Sequence, residues 1–156
     1  MLDEITRRPL RTLVATARLT DRERIVRILD RAQGYDVVAE AADGSAAVRL
    51  SGRIDPELVL LDLELPLVDG IDATAQVLHV APGATVVVLT PRGSDSGGVL
   101  AVRYGARAHV PLDSPAEILL AAIGAALPRE LASRPAPAER AGTAPPPWWE
   151  TMLADR

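Results

Sequence analysis

The chain has 156 residues, a net charge of −4 and no cysteine, which suits one domain with a modest extension and excludes disulfides and thiolate metal sites. A hydrophobic fraction of 48% and a mean hydropathy of +0.13 support a packed core rather than disorder, and the acidic balance gives the chain no general pull toward nucleic acid or an anionic membrane. The apolar runs are strand-sized, too short to span a bilayer, and residues 1–9 carry both signs of charge without an apolar h-region, so no signal peptide is read and a cytoplasmic protein is expected.

Strand-like and helix-like segments alternate from residue 11 onward. Arg11–Thr16 reads as a first strand. Thr20 with Glu23 makes a capping box for the helix that follows, which gathers Ile25, Ile28 and Leu29 on one face and sets Arg22, Arg24, Arg27 and Arg31 mostly on the other. Gly34 ends it. Asp36–Ala41 is a second strand, and Asp43 caps a short helix expected to run through Leu50. Glu57–Leu61 is a third strand, too uniformly apolar for a sheet with one wet face and typical of a buried parallel one.

A helix over Asp69–Val80 precedes a fourth strand, Thr85–Leu89. Pro91–Gly98 reads as a Gly/Ser-rich loop before a weak helix ending near Gly105, and Arg107–Val110 as a short fifth strand. Ser114 is the expected N-cap and Pro115 the first helical position of a helix over Ala116–Leu127. Five β/α repeats predict a flavodoxin-like (βα)5 fold, a doubly wound parallel sheet of order 2-1-3-4-5. The expected division is an N-terminal extension over 1–10, a globular domain over 11–127 and a Pro/Ala-rich tail over 128–156. From Pro128 the tail reads as an extended linker ending in Pro147-Trp148-Trp149-Glu150-Thr151-Met152-Leu153.

The segment Val59-Leu60-Leu61-Asp62-Leu63-Glu64-Leu65-Pro66, closing on Asp69-Gly70, carries a carboxylate to the C-terminal end of a buried strand. In open α/β sheets, ligands and chemistry gather outside those strand ends. This segment resembles the phosphoacceptor strand and loop of response-regulator receiver domains. Leu89-Thr90, Gly105-Ala106-Arg107-Ala108, Ser114-Pro115-Ala116-Glu117 and Val38-Ala39-Glu40-Ala41-Ala42-Asp43-Gly44 resemble further parts of NarL-type receivers, so the likeness covers roughly Arg11 to Leu127.

The resemblance implies that Asp62 stands at the phosphoacceptor position and Thr90 at the switch hydroxyl. It also implies an acidic pair holding Mg²⁺ after the first strand, a lysine after the fifth, and an aromatic switch residue. This chain departs at each of those. Thr16 and Ala17 replace the acids, Leu112 stands at the lysine position, and His109 replaces the aromatic. All 17 basic residues are arginine, so no lysine elsewhere can substitute. Glu64 would offer a metal mainly its backbone carbonyl. The expectation is therefore no bound cofactor and no Mg²⁺ site, since Mg²⁺ wants several hard oxygen ligands.

Two readings of Asp62 stay open at this point. It is a residual phosphoacceptor, or a strand-end carboxylate bonded to Thr16, Thr90 or loop amides. Arg18 and Arg92 are either built-in counter-ions over it or solvated loop residues. The implied role is an atypical, phosphorylation-independent receiver in signalling or transcriptional control, not an enzyme. Its expected partner is a protein or a second copy, met through the face of the fourth helix, fifth strand and fifth helix, with Ala101, Val102, Tyr104, Leu119, Leu120 and Ile123. Trp148 and Trp149 are a second candidate interface, because exposed tryptophan pairs favour contact surfaces. A small-molecule sensor and a weakly phosphorylatable receiver are the alternatives. A flavin protein is disfavoured by the absence of glycine in the first loop and of aromatics near it. No helix-turn-helix fits after Pro128, so direct nucleic-acid binding is not expected, and no membrane association is.

Overall fold

A computed structural model of the chain describes residues 8–91 and 95–132. Strands β1 (Leu10–Ala15), β2 (Tyr35–Ala41), β3 (Leu58–Asp62), β4 (Thr85–Thr90) and β5 (Ala108–Pro111) alternate with helices α1 (Leu19–Ala32), α2 (Gly44–Ile54), α3 (Gly70–Val80), α4 (Asp95–Arg103) and α5 (Ala116–Ala126). All strand pairs are parallel and the order is β2-β1-β3-β4-β5. This is the flavodoxin-like arrangement expected from the sequence.

The period-2 alternation of strand side chains divides the core into two layers. Leu13, Val59, Leu61, Val86 and Val88 face α2, α3 and α4 through Leu50, Ala73, Val77 and Ala101. Val14, Leu58, Leu60, Val87 and Leu89 face α1 and α5 through Ile25, Leu29, Leu119 and Ile123. Every residue of β3 and β4 is buried, as two covered faces require, which is why both strands are almost uninterrupted aliphatic runs.

Several boundaries differ from the expectation, each for a local reason. Thr20 does not cap α1; the helix begins at Leu19 behind an extended Arg18 with no side-chain cap. The hydroxyl at this corner is Thr16, whose Oγ1 donates to the Arg18 carbonyl at 3.0 Å. Helix α2 continues past Leu50 for another turn, because buried Ile54 anchors it and Ser51 turns its Oγ to the Ala47 carbonyl at 2.7 Å. Helix α4 starts at Asp95, so Gly97 and Gly98 are helical rather than looped. At α5 the cap is Pro115, with ψ near 157°, and not Ser114; the Ser114 carbonyl is instead taken by Arg24. Beyond Pro128 a helical turn, α6 (Arg129–Ala132), replaces the extended chain expected there, and Leu131 packs on the α1–α5 layer of the core.

Candidate functional site

The C-terminal end of β3 delivers Asp62 to a buried position beside the β1–α1 turn and the β3–α3 loop. That loop is tightly fastened. Asp69 caps α3, its Oδ1 accepting from the Ile71 and Asp72 amides at 3.0 Å each. The Gly70 amide donates to the Leu63 carbonyl at 3.0 Å. A Cβ at Gly70 would lie 2.5 Å from the Asp62 carbonyl oxygen and 2.5 Å from the Leu63 Cα, so only glycine permits this return. On the far side, the Gly44 amide that opens α2 donates to the Pro66 carbonyl at 3.0 Å.

Asp62 is 5% exposed. Its Oδ1 accepts from the Glu64 amide at 2.9 Å, and the Ala17 amide also donates to the carboxylate. Burial pushes its pKa above the ordinary 3.8, with smaller contributions from the neighbouring charges of Glu64 and Asp21, while the two amides act in the opposite direction. The loop-amide version of the strand-end reading thus describes its bonds; Thr16 spends its hydroxyl on Arg18 instead. Thr90 ends β4 beside β3, 2% exposed, with its carbonyl accepting from the Leu112 amide at 2.8 Å.

Arg18 is exposed and forms no ion pair with Asp62 among the described residues. Arg92 lies outside the described residues, as do Trp148 and Trp149. The arginine that does reach the end of β1 is Arg22, expected mostly on the helix face opposite Ile25, Ile28 and Leu29. Its Nη1 donates to the Thr16 carbonyl at 2.6 Å, and its Nε stands 3.7 Å from Glu40. It therefore serves β1 and β2 rather than Asp62. Asp21 was also missed. Its signal was positional, since the first turn of the first helix must rise over the strand ends.

Leu112, at the implied lysine position, is half-buried and packs on the α1–α5 layer, while Arg24 donates to its carbonyl at 3.1 Å and to that of Ser114. His109 is half-buried beneath α4: a Cβ on Gly98 would meet its Nδ1 at 2.4 Å. At the end of β1, Ala17 offers a methyl group and Thr16 a hydroxyl that donates to the Arg18 carbonyl.

The expected interface needs correction. Ala101, Leu119 and Ile123 are 0%, 3% and 0% exposed and belong to the core, because α4 and α5 turn those positions onto the sheet. Leu120 is half-buried, whereas Val102 and Tyr104 are exposed. Val99, Leu100 and Ile118, which the sequence reading did not single out, join them at the surface. No described helix is long and apolar enough to cross a membrane.

Comparison with known proteins agrees with this geometry. The chain is 34% identical over 99 residues to protein-glutamate methylesterase/protein-glutamine glutaminase 2 of Anaeromyxobacter dehalogenans, a match covering 64% of this chain and 29% of that protein. It is 30% identical over 117 residues to the nitrate/nitrite response regulator protein NarP of Escherichia coli, covering 75% of this chain and 54% of NarP. The chain thus spans about three tenths of the first relative and about half of the second. Among solved structures, the signal receiver domain of NarL from Mycobacterium tuberculosis superposes with a TM-score of 0.69 at 28% identity, over 74% of this chain and 93% of that one. Residues 17–123 match the response regulator receiver domain, and the chain belongs to that family.

Proposed function

We propose that this receiver acts in two-component signalling without phosphotransfer, as a protein-interaction module whose Asp62 is a structural remnant of a phosphorylation site. The observation that carries this reading is the environment of Asp62. Phosphoryl transfer is catalysed mainly by positioning and by neutralising charge on the transferring oxygens. Around Asp62 the neighbouring ionised groups are Glu64 and Asp21, both negative. The arginine at the end of β1 is committed to Glu40 and the Thr16 carbonyl, and an aliphatic side chain stands at Leu112. Among the described residues, an incoming phosphoryl group would meet repulsion and no fixed cation.

The partner surface in this reading is the outer side of α4 with the start of α5, where Val99, Leu100, Val102, Tyr104 and Ile118 leave apolar surface uncovered. The role is regulatory and not catalytic.

The test is incubation of the protein with acetyl phosphate and Mg²⁺, and separately with beryllofluoride, followed by intact-mass analysis and amide spectra. The expected result is no added phosphoryl mass and no shift of the amides around Asp62. Stoichiometric modification at Asp62 would overturn the reading.

A further inference from the structure

On the face of the molecule away from the Asp62 loop, α1 and α5 do not close on one another. They leave a cleft of about 460 Å³ lined by Arg24, Arg27, Ile28, Arg31 and Ala32 of α1 and by Ala116 and Leu120 of α5. The spacing explains the lining: positions 24, 27, 28 and 31 follow the i, i+3, i+4, i+7 stripe that gathers side chains on one helix face. Arg24 is tied to the Leu112 and Ser114 carbonyls, but Arg27 and Arg31 are exposed and form no ion pair with a described residue. Guanidinium groups beside apolar side chains suit a ligand that is aromatic and acidic together. Arginine stacks on indole faces and pairs with carboxylates.

The chain itself carries such a ligand. Its tryptophans, scarce aromatics in a sequence with no Phe, stand together in Trp148-Trp149-Glu150-Thr151-Met152-Leu153-Ala154-Asp155. The spacings 148/152 and 149/153 are i, i+4 pairs, and Glu150 and Asp155 supply carboxylates. We infer that this C-terminal segment docks in the α1–α5 cleft of its own chain, with its indoles against Ile28 and Leu120 and its carboxylates on Arg27 and Arg31.

The connection is long enough. The described chain ends at Ala132, just after Leu131 packs on the same layer as Ile28 and Leu120. Leu120 lies about 9 Å along α5 from its last residue at 1.5 Å per residue. Residues 133–147 would span about 20 Å as a coil and about 45 Å as a polyproline II helix. Tethering at that length makes the effective concentration of the segment on the order of millimolar, so a weak contact suffices to fill the cleft.

Both tryptophans lie in this segment, so selective indole excitation of the full chain reports on it alone. The expected result is emission blue-shifted from that of a free indole, with acrylamide quenching several-fold weaker than in the Arg27→Glu/Arg31→Glu variant. The reversed pair Glu150→Arg/Asp155→Arg exposes the indoles equally, and combining all four substitutions restores the shielding. Raised salt moves the parent toward the variants, since these charges are screened. Far-UV circular dichroism checks that each variant is folded, and the tail reversal stands as a test should the cleft reversal disturb α1. Indoles as exposed in the parent as in the variants would overturn the proposal, as would shielding that neither reversal changes. Shielding that rises with protein concentration in step with a sedimenting dimer would overturn it in favour of a second copy as occupant.

Discussion

Asp62 holds a carboxylate in a place where its charged form is disfavoured, and that has a consequence for stability. Its pKa is raised above the ordinary 3.8, mainly by burial, so the folded protein binds this proton more tightly than the unfolded chain does. Stability then falls as pH rises through the interval between the unfolded and folded pKa values, and the penalty stays in full above it. An amide keeps an oxygen to accept from the Glu64 and Ala17 amides without the charge. Asp62→Asn is therefore expected to stabilise the protein at neutral pH, with the gain shrinking on acidification and vanishing below the unfolded pKa. Denaturant titrations across pH measure this; an Asn variant less stable than the parent at pH 7 contradicts it. At this scale the sequence was legible where backbone and strand order fix a residue, as for Asp62, Thr90 and Leu112. It was silent where a long side chain chooses among partners, since nothing in the spacing of Arg18 and Arg22 says which one turns back to β1.

Helix α4 shows how an element is specified by contact rather than by propensity. Gly97-Gly98 reads as a loop because glycine costs about 1 kcal/mol in a helix interior. The structure places Gly98 in α4 because its missing Cβ makes room for His109 on β5, a separation of 2.4 Å to Nδ1 for any added Cβ. Gly98→Ala is accordingly expected to destabilise by about 1–3 kcal/mol through overpacking, in spite of alanine's better propensity. In a His109→Ala background the same substitution should be neutral or stabilising. A double-mutant cycle by thermal or denaturant unfolding reads this coupling directly. Thr20 and Ser114 are good caps by type, but α1 opens behind Arg18 and α5 behind Pro115, neither with a side-chain cap bond. Helices α2 and α3, whose caps Asp43 and Asp69 accept from their own helices' amides, began where the sequence said.

For the whole molecule, the two-layer core follows from period-2 strands covered on both sides, and it was legible as soon as β3 and β4 read as unbroken aliphatic runs. The surface was less so. A face named by its elements contains both core and exposed positions, and only the rotation of each helix separates Ala101 from Val102 or Leu119 from Ile118. Exposed apolar side chains gathered on α4 favour association. Leu100→Glu/Val102→Glu is expected to weaken self-association by about tenfold or more, equivalent to about 1.4 kcal/mol, with little change in unfolding free energy because both positions are at the surface. Sedimentation over a concentration series measures it, and a parent that is monomeric throughout would assign the surface to a different protein partner.

The bond from the Gly44 amide to the Pro66 carbonyl ties two loops that the sequence separates by more than 20 residues. A Cβ on Gly44 would fall 1.8 Å from the Val68 carbonyl oxygen, so the loops are in van der Waals contact as well as hydrogen-bonded. The Asp62 loop consequently has no private motion: lifting Pro66 strips the first amide of α2 of its acceptor. The Gly44 backbone proton becomes a gauge of the Asp62 loop. Its exchange rate with solvent deuterium counts how often the loop opens, with no probe attached to the site.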